Sequence, residues 1–205
     1  VLSHADADHD GAAASLLRQF RFRQIWAGQG EAYGHWSTHD CRGEAWQWDG
    51  VWFEWLTLPR SKVASTTNAQ SCVLRVVTQG QALLIPADTG KEEEAALLQQ
   101  YGQQLHSTVL LLGHHGSSGS SSTAWLHAVA PKLAIATSGF RTSYHHPTVA
   151  VQTRLRAHGI KLYRTDTQGS MAVLLDGNLT VLPRAGPRFW WQRKPLARLD
   201  EVGFT

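Results

Sequence analysis

The sequence predicts a mixed α/β fold in which helices pack on a sheet. Hairpin signals crowd residues 46–85, helical and buried-strand patterns alternate from residue 91, and a last hairpin signal surrounds Asp176-Gly177. Hairpins that lead into alternating helix and strand need a sheet with helices laid on it. At 205 residues the chain is one large domain or two small ones, long enough to bury a core. The patterned part spans 1–183, followed by a basic, aromatic tail over 184–205 that reads as a loosely held terminus.

In chain order, Ala, Leu and Phe at helical spacing predict a helix over 12–20, followed by a short strand at 24–27. A Gly/His/Ser-rich connection covers 28–43. Alternating residues on either side of Asp49-Gly50 predict a hairpin of strands 46–48 and 51–58. A polar loop at 59–69 precedes a second hairpin, 72–77 with 82–85, around Gln79-Gly80. Then come a helix at 91–105, a buried strand at 109–112, a helix at 121–129, a strand at 132–137, a helix at 148–157 and a strand at 161–163. Strands 171–175 and 179–182 close the pattern.

Composition narrows the function classes. Hydrophobic residues make up 42% and charged residues 17%, which fits a globular chain and not a disordered one. The net charge of +3 tolerates a polyanionic partner without demanding one. No apolar run approaches the roughly eighteen residues needed to span a bilayer. The opening Val1-Leu2-Ser3 reads as the end of a buried strand, so a fragment of a larger protein is expected. Cys41 and Cys72 lack the spacing of a zinc or redox pair, and spacing alone leaves buried thiols and a disulfide both open.

The chemistry concentrates in Ser3-His4-Ala5-Asp6-Ala7-Asp8-His9-Asp10-Gly11. In an extended loop residues i and i+2 point the same way, so His4 and Asp6 converge. Asp8 and His9, where the chain turns into a helix, can face a second point. Imidazole and carboxylate together suit Zn, Mn or Fe, and mixed sets are typical of catalytic sites. A solvated acidic loop capping a helix would explain one carboxylate but not two His in register with three Asp. Four ligands cannot fill two metal spheres, and two later apolar strands also end in donors: 83–85 runs to Asp88, and 109–112 runs to His114-His115. His146, in Tyr144-His145-His146-Pro147, is either a site residue or a loop His packed on Pro. His35, His39, His106, His127 and His158 have no partners in spacing, and Asp166 reads as a turn residue.

The pattern His4-x-Asp6-x-Asp8-His9 resembles the signature loop of the metallo-β-lactamase superfamily, usually His-x-His-x-Asp-His, with Asp6 in place of the second His. With Asp88, His114-His115-Gly116-Ser117, Asn68-x-x-Ser71-Cys72, His146-Pro147 and Tyr163-Arg164-Thr165-Asp166 in the same order, the chain resembles the C-terminal domain of the ComEC family of bacterial DNA-uptake channel proteins. The resemblance covers residues 1–183. It implies an αββα sandwich, N-terminally truncated because the family's first strand pair has no counterpart here.

It also implies two divalent ions, Mn or Zn, held by His4, Asp6, Asp8, His9, bridging Asp88 and His114. Asp8, His115 and His146 would occupy catalytic positions. The superfamily's middle His is missing, and Asn68 and Ser71 fall in its region. The implied activity is phosphodiester hydrolysis of single-stranded DNA, in association with the rest of a channel protein in the inner membrane. Another phosphoester substrate, or an inactive DNA-binding or gating module, is the alternative. On the same resemblance a Cys41–Cys72 disulfide is expected, closing about thirty residues for roughly 3 kcal/mol and placing the domain on the periplasmic side.

Overall fold

The computed structural model describes residues 1–58 and 66–183. The expected tail and most of the loop at 59–69 lie outside the described residues. Two short helices open the chain, α1 (Ala7–Asp10) and α2 (Ala13–Gln19), followed by β1 (Trp26–Ala27) and β2 (His39–Asp40). The hairpins are β3 (Ala45–Trp48) with β4 (Val51–Leu56), and β5 (Val73–Thr78) with β6 (Gln81–Ile85). The alternating part comprises α3 (Lys91–Tyr101), β7 (Val109–Leu111), α4 (Thr123–Val129), β8 (Leu133–Ala136), α5 (Val149–Ala157) and β9 (Lys161–Arg164). A four-residue turn of helix, α6 (Thr165–Gln168), precedes β10 (Met171–Leu174) and β11 (Thr180–Pro183).

Strands β3 to β9 form one seven-stranded sheet in sequence order, antiparallel from β3 to β6 and parallel from β6 to β9. Both hairpin turns take positive φ at the two central residues, Asp49 (48°) with Gly50 (77°) and Gln79 (47°) with Gly80 (74°). That geometry matches the twist of the flanking strands, and glycine adopts it at no steric cost.

Alternation along the strands sorts side chains between two faces. Leu56, Val73, Leu84, Leu110, Ala134, Ala136 and Leu162 face one side, where they meet Leu97 of α3, Trp125 and Leu126 of α4, and Val151 and Leu155 of α5. Their neighbours Leu83, Val109, Leu111, Leu133, Ile135 and Tyr163 face the other side and pack on Met171, Val173 and Val181 of β10 and β11. Further along that second face, Trp55 and Leu74 meet Trp26 and the Cys41–Cys72 pair.

Adjacent residues of β1 then complete the layering. Trp26 looks inward to the large sheet, while Ala27 packs with Ala13 of α2 and Tyr33. The order of layers is helix, large sheet, small sheets, helix: the expected αββα arrangement, with the second β layer built by β1–β2 and β10–β11. The expected disulfide is present, with Cα atoms 5.3 Å apart.

Candidate metal centre

Parallel strands deliver their C-terminal ends to a single edge, and the predicted donors collect there. Asp88 follows β6, His114 and His115 follow β7, and the start of β5 lies at the same edge because β5 runs antiparallel to β6. The loop carrying His4 docks against that start through the Cys72 amide, which donates to the Ser3 carbonyl at 3.0 Å. Leu2 forms a parallel bridge to Ala27, so the His4 loop leaves the small sheet in extended form before α1 presents Asp8 and His9.

The backbone is bent to fit. Ala87, His114 and His115 all have positive φ (49°, 47° and 55°), a conformation that costs a non-glycine residue about 1–2 kcal/mol. Gly113 and Gly116 flank the His pair because their neighbours leave no room for a side chain. A Cβ at Gly113 would stand 2.9 Å from the Thr89 carbonyl, and one at Gly116 would stand 2.5 Å from Pro147 Cβ. The Ser-rich run behind this turn is its scaffold. The Ser120 hydroxyl donates to the Gly113 carbonyl at 2.6 Å, and buried Glu94 of α3 accepts the amides of Ser121 and Ser122.

Asp88, nearly buried, divides the donors. Its Oδ1 faces His9 Nε2 at 3.2 Å and His115 Nε2 at 3.7 Å; its Oδ2 faces His114 Nε2 at 3.8 Å and His4 Nε2 at 3.9 Å. Asp6 lies 3.5 Å from His4, and Asp8 lies 3.1 Å from His115 and 3.7 Å from His9. Two sets of three donors, His4–His9–Asp88 and Asp8–His9–His115, are close enough to share an ion.

The chemistry of these donors fits divalent cations. His4 has no solvent exposure, yet its Nε2 has no hydrogen-bond partner although two carboxylates face it. A buried imidazole nitrogen with no hydrogen bond, facing carboxylates, is the arrangement a divalent cation would satisfy. Burial and the neighbouring His9 hold the His4 imidazole below its usual pKa against the pull of Asp88, Asp6 and Asp8, which favours the neutral, ligating form. Burial pushes the Asp8 carboxyl up, but its own backbone amide and the His9 and His115 imidazoles outweigh that and hold it below the usual range.

Outer partners set the imidazole orientations. Ser3 Oγ sits 3.2 Å from His4 Nδ1 and 3.0 Å from His9 Nδ1, and Ser71 Oγ lies 3.5 Å from His4 Nδ1. His115 Nδ1 donates to the Thr137 carbonyl at 2.8 Å, which aims Nε2 at Asp8, 3.1 Å away, and at His9, 3.3 Å away. His114 Nδ1 lies 3.5 Å from the side-chain amide of Asn68.

His146 lies beside His114 with ring centroids 6.0 Å apart; burial, then the His114 and His115 charges, lower its pKa. Asp10 turns away from the cluster and accepts the Tyr33 hydroxyl at 2.9 Å, while Asp166 pairs with Arg164 at 2.6 Å. His158 bonds the Arg154 carbonyl, and His39 stands against Trp26. Sequence reasoning missed Ser3, which braces two imidazoles at once, and Thr137, which acts through its carbonyl and leaves no side-chain signal.

No family model matches the chain. It is 46% identical over 196 residues to the competence protein ComA of Neisseria gonorrhoeae, covering 95% of this chain and 28% of that protein. Recombination protein 2 of Haemophilus influenzae is 29% identical over 94% of this chain, and ComE operon protein 3 of Bacillus subtilis is 29% identical over 83%; the chain spans 24% of each. Two solved structures overlap it weakly. A metallo-β-lactamase superfamily protein of Thermotoga maritima covers 65% of the chain at 13% identity (TM-score 0.36), and the β-hydroxylase CmlA covers 80% at 11% (TM-score 0.46). Likenesses of that size carry no weight beside the sequence relatives. The chain belongs to the ComEC family of competence proteins, as a segment spanning roughly a quarter of the length of the relatives it matches.

Proposed function

We propose that this segment is a metal-dependent phosphodiesterase of the metallo-β-lactamase superfamily that degrades DNA during uptake. The observation that supports this most is the division of donors by Asp88, each of whose oxygens faces two imidazoles at 3.2–3.9 Å. A carboxylate shared between two sets of donors suits a pair of ions. Divalent ions there would supply Lewis acidity toward phosphoryl oxygens and lower the pKa of attacking water.

His4 and Asp6 would hold one ion, Asp8 and His9 the other, with Asp88 between them. The distances favour His115 over His114 as the late ligand, exchanging the roles the resemblance implies. His115 forms a set of three donors with Asp8 and His9, whereas His114 stands 3.8 Å from Asp88 at the more exposed mouth of the site. His114 and His146 stand side by side with ring centroids 6.0 Å apart, and either imidazole, when protonated, would be placed to give a proton to a departing oxygen. Asp6 adds an oxygen donor where the superfamily pattern has an imidazole, which favours harder ions such as Mn²⁺. The Cys41–Cys72 bridge supports an oxidising location, which for a domain of a bacterial inner-membrane protein would be the periplasmic side.

Metal content and cleavage of a single-stranded oligonucleotide test the reading together. Asp8→Ala should lose one ion per chain and all cleavage while melting within a few degrees of the wild type; cleavage at the wild-type rate overturns the proposal. Across a metal series, Mn²⁺ should support a faster rate than Zn²⁺, and a sole optimum with Zn²⁺ would count against the role given to Asp6.

A further inference from the structure

Beside the metal centre, the loop between β8 and α5 carries a set of side chains that the proposed hydrolysis does not use. Tyr144 is 74% exposed and Phe140 48%, unusual for large rings on a polar loop. The Tyr144 ring stacks on His146 at 5.7 Å, and His146 lies 6.0 Å from His114, so an exposed aromatic face stands two ring steps from the site. Arg141 reaches over the Phe140 ring at 5.1 Å, and among the described residues no carboxylate pairs with it. A cleft of about 160 Å³ runs from Arg141 past His145 and His146 to Gln152 and Arg164. There Arg164 is already paired with Asp166 through contacts of 3.0 and 2.6 Å, so among the described residues lining the cleft Arg141 is the Arg with no carboxylate partner.

We propose that this loop is a docking platform for single-stranded nucleic acid, with Tyr144 stacking a base and Arg141 taking a backbone phosphate next to the one at the metal centre. The inference rests on the phosphodiesterase reading for the scissile position and deepens it by naming the residues that would hold the strand beside the metal centre. An exposed aromatic ring and a cation on one loop suit an unpaired strand, because every base has a π-face and every linkage a charge. A duplex hides its base faces, and a small phosphoester ends at the metal centre. Neither uses a ring two steps away.

The test measures binding to the metal-free full chain by fluorescence anisotropy, using labelled oligo(dT) of about 10 nucleotides and an abasic strand of the same length. Tyr144→Ala should weaken oligo(dT) binding by roughly 5- to 100-fold, Tyr144→Phe should restore it, and the abasic strand should not distinguish the variants. Arg141→Ala should weaken both strands and reduce the salt dependence by about one ion. Equal affinity of Tyr144→Ala and the wild type for oligo(dT), or an equal loss on the abasic strand, overturns the platform. Because binding is read without metal, a chain that binds in this pattern yet never cleaves when loaded overturns the phosphodiesterase reading alone. A chain that cleaves with no effect of Tyr144 overturns the platform alone.

Discussion

The antiparallel and parallel halves of the large sheet are built from similar strands and do different work. From β3 to β6 the chain runs back and forth, strand ends alternate between the two edges, and among the described residues the site receives Asn68 and Ser71, which lie against imidazoles. From β6 to β9 every strand runs the same way with a helix between, so the loops after them open at one edge. Asp88, His114, His115 and the Thr137 carbonyl all come from that edge. Parallel topology gathers chemistry, while antiparallel topology spreads it over two edges. The N-terminal loop with His4, Asp6, Asp8 and His9 reaches the same edge from the second β layer.

The halves also differ in how they are held. Both faces of the parallel half are covered, by helices on one side and β10–β11 on the other, whereas the first hairpin leaves Trp48 and Trp52 69% and 52% exposed. Leu84, fully buried on β6 where the halves meet, should cost about 2–5 kcal/mol when replaced by Ala. Trp52→Ala should stay within about 0.5 kcal/mol, like other surface substitutions. Chemical denaturation of the two variants compares them directly, and equal losses would mean that the outer face of the hairpin packs against something.

Below that lies the disulfide, which staples β2–β3 to the start of β5 across 31 residues of sequence. The Cys41→Ala, Cys72→Ala double variant should lose about 2–4 kcal/mol. Hydrogen exchange should show the opening confined to the antiparallel half and the β1 region. Loss of protection in β7 and β8 to the same degree would show that the halves unfold as one unit.

The smallest effect expected is a dependence on pH from Glu94 in the parallel half. Burial raises its carboxyl above the usual range, against the amides of Ser122 and Ser121 and the charge of Arg154. With the folded pKa above the unfolded one, the folded state binds the extra proton. The stability Glu94 contributes is therefore full below the unfolded pKa and is lost as pH rises through the folded one. Glu94→Gln also gives up one acceptor for two amides, so its melting temperature should compare better with the wild type near neutral pH than at about pH 4. A comparison that worsens on going to neutral pH would show that the carboxylate is stabilised, not penalised, by its site.

Much of this was legible in the sequence because it is local. Asp49-Gly50 and Gln79-Gly80 announce their hairpins through turn chemistry, and the packed donors of residues 4–9 announce a metal site through composition alone. The apolar strands running into Asp88 and His114-His115 showed where further donors would appear. What only the tertiary structure decided is where each imidazole points. His114 and His115 are adjacent, chemically identical and alike in every local pattern. They differ because two consecutive positive-φ residues aim one ring at Asn68 and the other at the Thr137 carbonyl, 46 and 22 residues away in sequence. The disulfide has the same character, since two cysteines 31 residues apart bond only where the layering of β2 over β5 brings their Cα atoms within 5.3 Å. Turn geometry and donor type depend on a few neighbouring residues, whereas ring orientation and cross-link depend on distant atoms that only the folded chain brings into contact.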